Sequence, residues 1–427
     1  MLFNKEIVDK MKTALEHRKG TAREQFDYYI GKTDVLKNYP TTDRSNRKIV
    51  DNFIRSFIEE EVSFMVGQPI TYVSRGNIPD SINDIEKSLS SISSTLDSEL
   101  ATNLLIFGEA YEFYYYNEEF KIKELNPLNA IAYCDKEGEV QLFMYTYTNE
   151  LEHGTTHIEV IDDSYIYHLN SGLNEISDPT PHFFKSVPVG IAKLKNGIND
   201  TLFNNIKHLQ DCYEALMSDW SNEIADTRLA YLVLTGVDID EESARNMKEM
   251  GIIQLPEVNS KAEWLIKNIP SDFIRQYRDI VKEDIYRVAQ HIDNQTQIQS
   301  NTSGTMLLTR MNCLRLKIIA QNQSLKNCVK KRVENLFKCL EKVENKSYDY
   351  KDIKIEPQLN LPSNDIETAQ IMSQLTNKLS IKTGLSRLSF VTNAEEEWQK
   401  MLQEQKDLVN LEGENLDNVP LEGDIDE

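Results

Sequence analysis

Cysteine is scarce in this chain, and what there is does not pair. The five cysteines stand at 134, 212, 313, 328 and 339 of 427 residues, an odd number with no C-x-x-C spacing. That argues against a disulfide framework and against a thiolate zinc site. Cys212, Cys313, Cys328 and Cys339 fall on helical patterns, where a buried free thiol is the expectation. Long apolar runs are missing too, and none approaches the ~18 residues of a membrane span. The opening MLFNKEIVDKMKTALEHRKG has neither the apolar stretch nor the small-residue cleavage site of a signal peptide. It reads as a polar amphipathic helix, so the chain is expected to remain in the compartment where it is made, with no membrane partner.

Basic charge is also in deficit. Lysine and arginine number 47 against 69 acidic residues, a formal net charge of −22. Proteins that grip nucleic acid by its phosphates carry a basic patch or excess, so stable DNA binding over a broad surface is disfavoured. Glu404 to Glu427 contains nine acidic residues and one lysine, Lys406. Removing that net −8 still leaves −14, so the body is acidic as well. The tail lacks any burial pattern and is expected to be disordered.

Catalytic machinery is the third absence. Gly31-Lys32-Thr33 resembles the end of a phosphate-binding loop, but the position five residues before Gly31 is Phe26, not the required glycine. A helix-ending glycine fits better. His153 and His157 flank a turn with no acidic or thiol ligand spaced to complete a metal site. Glu59, Glu60 and Glu61 are successive helix residues that point in different directions, the pattern of a solvated or interface face. There is no G-x-S-x-G elbow and no H-E-x-x-H. The expectation is a non-enzyme without metal or cofactor.

What is present is a fold of α+β class, predominantly helical. Residues 1–72 read as helices, with NRKIVDNFIRSFIEEEVSFMVG carrying Ile49, Phe53, Phe57, Val62 and Met65 or Val66 at helical spacing up to Gly67. Another helix is expected over Asp80–Phe107. From Glu109 the period shortens, and aromatic and β-branched runs divided by Asn117–Glu119, Asn126–Pro127 and Lys136–Gly138 predict an antiparallel meander to about Pro188. Helix returns at Asn199, where Ile206, Leu209, Tyr213, Leu216 and Trp220 form an a/d seam. A small α/β module follows, then a helix over Ser271–His291. Residues 292–303 are an amide-rich loop with little charge. One long amphipathic helix is expected over Gly304–Glu344, with two shorter helices in 363–403.

Several segments, in order along the chain, resemble the portal proteins (head-to-tail connectors) of long-tailed bacteriophages of the siphovirus type. QFDYYIGKTDVL and NRKIVDNFIRSFIEEEVSFMVGQPITY are similar to the family's N-terminal helix entering a Gly-x-Pro-[IV]-x-Tyr strand. LLIFGEAYEFYYYNEEFKIKELNPLNAIAYCD follows its Gly-x-Ala-Tyr-Glu and aromatic-strand pattern. SDWSNEIADTRLAYLVLTG resembles the helix entering the protruding module, and SNTSGTMLLTRM the start of the long helix. LNLPSNDIETAQIMSQLTNKLSIKTGLSRLSFV resembles the C-terminal helical signature.

The resemblance implies a portal fold of wing, stem, clip and crown around a central channel. Residues 1–198 would be the wing, 199–230 the first stem helix, 231–270 the clip and 271–291 the second stem helix. Residues 292–303 would be the tunnel loop, 304–362 the long helix and return to the wing, 363–403 the crown and 404–427 the acidic tail. It implies a ring-shaped homo-oligomer, a dodecamer, at one capsid vertex of the virion, assembled in the host cytoplasm. The ring would pass double-stranded DNA without sequence specificity during packaging and ejection. Partners would be the terminase large subunit, then a head-tail adaptor, with the major capsid and scaffolding proteins around it. DNA-facing candidates are Gln295, Gln297, Gln299 and Asn301, whose amides can touch a sliding phosphate backbone without holding it. Arg275, Arg278 and Lys282 are candidate channel-lining residues of the stem, with exposed salt-bridged helix surface as the competing reading. Asp240, Glu241, Arg245, Lys248 and Trp264 are the candidate clip docking surface. The alternative is another phage structural protein, a minor capsid or adaptor subunit.

Overall fold

The computed structural model describes residues 4–40, 45–149, 154–227, 231–235, 240–242, 245, 261–265, 271–293, 311–357, 365–375, 380–385, 388, 391, 394 and 397–406. Along the chain the elements begin with α1 (Lys5–Tyr29), α2 (Asp34–Asn38), α3 (Phe53–Val66), β1 (Thr71–Ser74), α4 (Pro79–Leu89) and α5 (Leu96–Phe107). The strands β2 (Glu109–Asn117), β3 (Glu119–Leu125), β4 (Ala130–Cys134), β5 (Val140–Asn149), β6 (Thr155–Ile161), β7 (Tyr165–Asn170), β8 (Thr180–Pro181) and β9 (Val189–Lys193) follow. Then come α6 (Leu202–Thr227), β10 (Tyr231–Thr235), β11 (Lys261–Leu265), α7 (Ser271–Ala289), α8 (Asn312–Glu344), β12 (Ile353–Glu356), α9 (Asp365–Leu375) and α10 (Ile381–Leu385). They fall into two compact units: Met1–Phe26 with Ser56–Asn205 and Gln290–Glu427, and Asp27–Arg55 with Ile206–Ala289.

In the first unit β4 to β8 form a five-stranded antiparallel meander, and β2 pairs with β3 on one side and β9 on the other. Strand β5 shows why its sequence, VQLFMYTYTN, is a nearly continuous apolar run. Leu142 and Met144 face Val8, Met11 and Leu15 of α1, while Phe143 and Tyr145 face Tyr111 and Phe113 of β2. Side chains alternate across a strand, so an apolar residue is needed at every position when both faces are covered. Burying each such side chain contributes about 1.5–3 kcal/mol. Arg18 of α1 donates to the carbonyls of Pro127 (2.7 Å) and Ala130 and pairs with Glu109.

The turn from α5 into β2 depends on glycine. Gly108 has φ +79°, and a Cβ there would lie 2.4 Å from the carbonyl of Gly197. Gly190 of β9 has an equally tight neighbour, since a Cβ would meet the Tyr114 hydroxyl at 2.1 Å. That hydroxyl donates to Glu112 (3.0 Å), which with Asp97 neutralises the buried guanidinium of Arg332 on α8. A buried arginine held by two carboxylates in this way fixes α8 against β2 at the cost of desolvating all three groups.

The structure departs from the sequence reading at several boundaries. The helix expected over 46–67 begins only at Phe53, and residues 45–51 are extended instead. Asp80–Phe107 is two helices, interrupted where Ser90 donates to Lys87 and Ser93 accepts from the Thr95 amide, local bonds that compete with the helix ladder. Strand β9 lies beyond the expected limit at Pro188, and α6 starts at Leu202 after a 3₁₀ turn at Gly197–Asp200. The long helix is described from Asn312, a span of about 50 Å. Cys313 is exposed and Cys212 half-buried, so only Cys328 and Cys339 follow the buried-thiol expectation. Of the three glutamates expected on a solvated or interface face, Glu59 is exposed and Glu60 half-buried, but Glu61 is fully buried. Gly31 does end a helix, at φ +81°. His153 and tail residues 407–427 lie outside the described residues, while 404–406 are helical, against the disorder expected there.

Candidate functional site

The second unit contains α6 and α7, which precede and follow the antiparallel pair β10–β11, where Leu232 lies opposite Trp264. The expected a/d seam of α6 is only partly buried: Ile206 and Tyr213 are inside, while Leu209, Leu216 and Trp220 are half-exposed. Its fully covered stripe is polar. Gln210, Glu214, Ser218 and Asn222 are all buried, each four residues after the last.

The reason is an extended segment running antiparallel to the helix. The amides of Ser45, Arg47, Ile49 and Asp51 donate to Asp226 (3.2 Å), Asn222 (2.6 Å), Ser218 (2.9 Å) and Glu214 (3.1 Å). Where the strap enters α3, the Ile54 amide donates to Gln210 at 3.1 Å. Four helical residues advance ~6 Å and two extended residues ~6.6 Å, so alternate strap amides meet every fourth helix side chain. The alternation also explains why Ile49 does not continue the α3 pattern: its amide is committed to Ser218.

Glu214 is the hub of this arrangement. It accepts from the Thr33 hydroxyl, the Asp51 amide and the Gln210 amide group (3.0 Å). Burial pushes its carboxyl up, to about 7, and these neutral donors only partly oppose the shift. Burial raises the Asp51 carboxyl as well, against the nearby Lys282 charge. Phe53 packs edge-on to Tyr213 of α6 (5.2 Å) and to Tyr286 of α7 (6.1 Å).

Helix α7 is two-faced. Val281, Ile285 and Ala289 are buried, while Phe273 (67% exposed), Tyr277 and Ile280 (56%) form a stripe open to solvent. Among the stem candidates, Arg275 is exposed, Arg278 pairs with its neighbour Asp279, and the Lys282 ammonium sits over the Tyr286 ring at 5.8 Å. Asp240, Glu241 and Arg245 are exposed; Lys248 and the loop amides Gln295, Gln297, Gln299 and Asn301 lie outside the described residues. Among the described residues no group of three or more histidine, cysteine or acidic side chains is disposed to hold a metal.

The polar stripe escaped the sequence reading. Its signal was there, a four-residue polar period at 210, 214, 218, 222 and 226 inside an otherwise amphipathic helix, but it has no meaning until the partner strap is known.

Residues 8–410 match the family model described as phage portal protein, SPP1 Gp6-like. The chain belongs to that portal protein family. It is 22% identical to the portal protein of Clostridium phage phiCD119 over 430 residues, covering 89% of this chain and 91% of that one. It is 21% identical to the portal protein of Bacillus phage SPP1 over 447 residues, covering 94% and 86%. Among solved structures it is similar in fold, at 12% identity and a TM-score of 0.50, to a chain from the neck of an empty gene transfer agent particle, covering 76% of this portal protein and 86% of that chain. The portal identity expected from the ordered segments is therefore shown.

Proposed function

We propose that this portal protein is one subunit of a ring at a single capsid vertex of a virion, through which double-stranded DNA is packaged and later ejected. Residues 1–198 serve as its wing, α6 and α7 as its stem, 231–270 as the clip and 363–403 as the crown. The ring is passive. It supplies a bore and docking surfaces, first for the terminase large subunit and then for a head-tail adaptor, within a shell of major capsid and scaffolding proteins. Residues 292–303 would be its tunnel loop, with the stem and clip residues named above facing DNA and partners.

The observation that carries this reading is the exposed apolar stripe Phe273–Tyr277–Ile280 on α7, in a chain whose family match is continuous over residues 8–410. A contiguous stripe of large apolar side chains exposed on one helix face marks an interaction surface. The half-exposed Leu209, Leu216 and Trp220 of α6 offer apolar surface of the same kind. A second copy of the chain can cover both, and repetition of such a head-to-tail contact closes a ring.

Mass measurement in solution with negative-stain imaging tests the proposal. A ring with an open central hole is expected, twelve-fold for the dodecamer. A stable monomer at every concentration and salt would overturn it.

A further inference from the structure

His291 and Lys317, on either side of residues 294–310 in the sequence, close on one carboxylate. His291 follows the end of α7, and its ring is stacked on Phe57 of α3 with centroids 4.2 Å apart. Its Nδ1 lies 2.6 Å from Glu60 Oε2 and its Nε2 2.8 Å from Glu61 Oε1. On the far side of the segment, Lys317 of α8 donates to the same Glu61 oxygen at 2.6 Å, and Gln321 donates to Glu61 Oε2 at 2.6 Å. His291 is 7% exposed and Glu61 is fully buried.

We propose that Glu61 is the centre of an ionic clamp that fixes the chain on both sides of residues 294–310, through His291 and Lys317, and that the clamp loosens when His291 loses its proton. Glu61, His291 and Lys317 are then positioning residues for that segment.

The geometry demands the imidazolium. A neutral imidazole has one N–H and one lone pair. With a carboxylate oxygen within 2.8 Å of each nitrogen, the neutral ring would turn that lone pair toward one of the two carboxylates. The charged groups facing His291 are Glu60 and Glu61 from α3 and, through Glu61, Lys317 from α8. Protonated, the four sum to zero; deprotonated, they leave a net negative charge in a buried site, which is costly. Burial by itself would lower the histidine pKa, but the hydrogen bonds to Glu60 and Glu61 and the Glu61 charge outweigh burial and the Lys317 charge, so the net shift is upward. A histidine whose folded pKa is raised adds stability that is complete below about 6.5 and is lost as pH rises through the folded value.

The clamp stands on this geometry alone; its consequence, that it sets the position of the DNA-contacting loop, rests on the channel reading above. Its test therefore uses no DNA. Hydrogen-exchange protection of residues 286–293 and 312–321 is followed from pH 5.5 to 8.5 in the full chain, for wild type, His291→Gln and Glu60→Gln. Protection reports local opening free of the intrinsic exchange rate. In wild type it should fall as pH rises from about 6.5 through the folded His291 value, by no more than about tenfold per unit, and level off above it. In His291→Gln that fall should vanish. A flat wild-type profile, or the same fall in His291→Gln, would overturn the proposal. Should His291→Gln fail to fold, Glu60→Gln decides, because Glu60 is partly exposed. A midpoint below wild type supports the clamp, and an unchanged midpoint rejects it.

Discussion

Glu61 and Glu214 are both fully buried, each in a different unit, and each accepts from three donors. Their carboxyls nonetheless go opposite ways. Burial raises both. At Glu61 the Lys317 and His291 charges overcome it and take the group down to about 2. At Glu214 the donors are a hydroxyl, a backbone amide and a side-chain amide, and the group ends at about 7. The number of hydrogen bonds is the same, so the charge of the donors decides. Glu61 holds two cations in place; Glu214 organises a neutral ladder and sits near its own titration point.

The sharpest way to break this contrast is Glu61→Ala. It leaves His291 and Lys317 facing each other without their shared anion, and removing one partner from a buried ionic cluster costs about 3–5 kcal/mol. Chemical denaturation at pH 6 and fixed protein concentration measures the loss. A change below about 1 kcal/mol would mean that the cations reach water and the site is not ionic in the sense described.

The next effect is one of pH, and its sign separates the two carboxylates. Glu61 binds a proton more readily unfolded, so its contribution is complete above about 4.5 and fades as pH falls toward 2. Glu214 binds a proton more readily folded, so its contribution declines as pH rises from about 4.5 to about 7. The second decline is on the order of 3 kcal/mol at most. Glu214→Gln should remove it, leaving a profile flatter than wild type between pH 4.5 and 7. An identical slope in the two proteins would place the titrating group elsewhere.

The comparison also marks how far the sequence could be read. Strands β2–β7 were legible as strands, though not as two separate sheets, because aromatic and β-branched runs are divided there by breaks at Asn117–Glu119, Asn126–Pro127 and Lys136–Gly138 that carry turn chemistry. Strand β9 was not, since VGIAK is short and Gly190 answers to Tyr114 rather than to strand propensity. The strap at 45–51 was read as helix because Ile49 and Phe53 keep helical spacing, while the amide acceptors that make it extended lie more than 160 residues away. Glu61 is the same case. Three glutamates in a row look solvated, and only the return of His291 and Lys317 from 230 and 256 residues downstream makes one of them a core residue. Family identity was legible because it is spread over many segments in order, whereas the stem, clip and loop candidates each rest on a few residues.

The smallest effect probes whether the neutral ladder acts as a unit. Ser218→Ala removes the acceptor of the Ile49 amide, and alanine's better helix propensity offsets part of the loss. The net cost should be about 1 kcal/mol, far below that at Glu61. The informative reading is local exchange at Arg47 and Asp51, whose own acceptors, Asn222 and Glu214, are untouched. If the strap is held cooperatively, both amides lose protection roughly fivefold along with Ile49. If only Ile49 responds, the rungs are independent, and Glu214 is then a local hub rather than the centre of a single strap-binding surface.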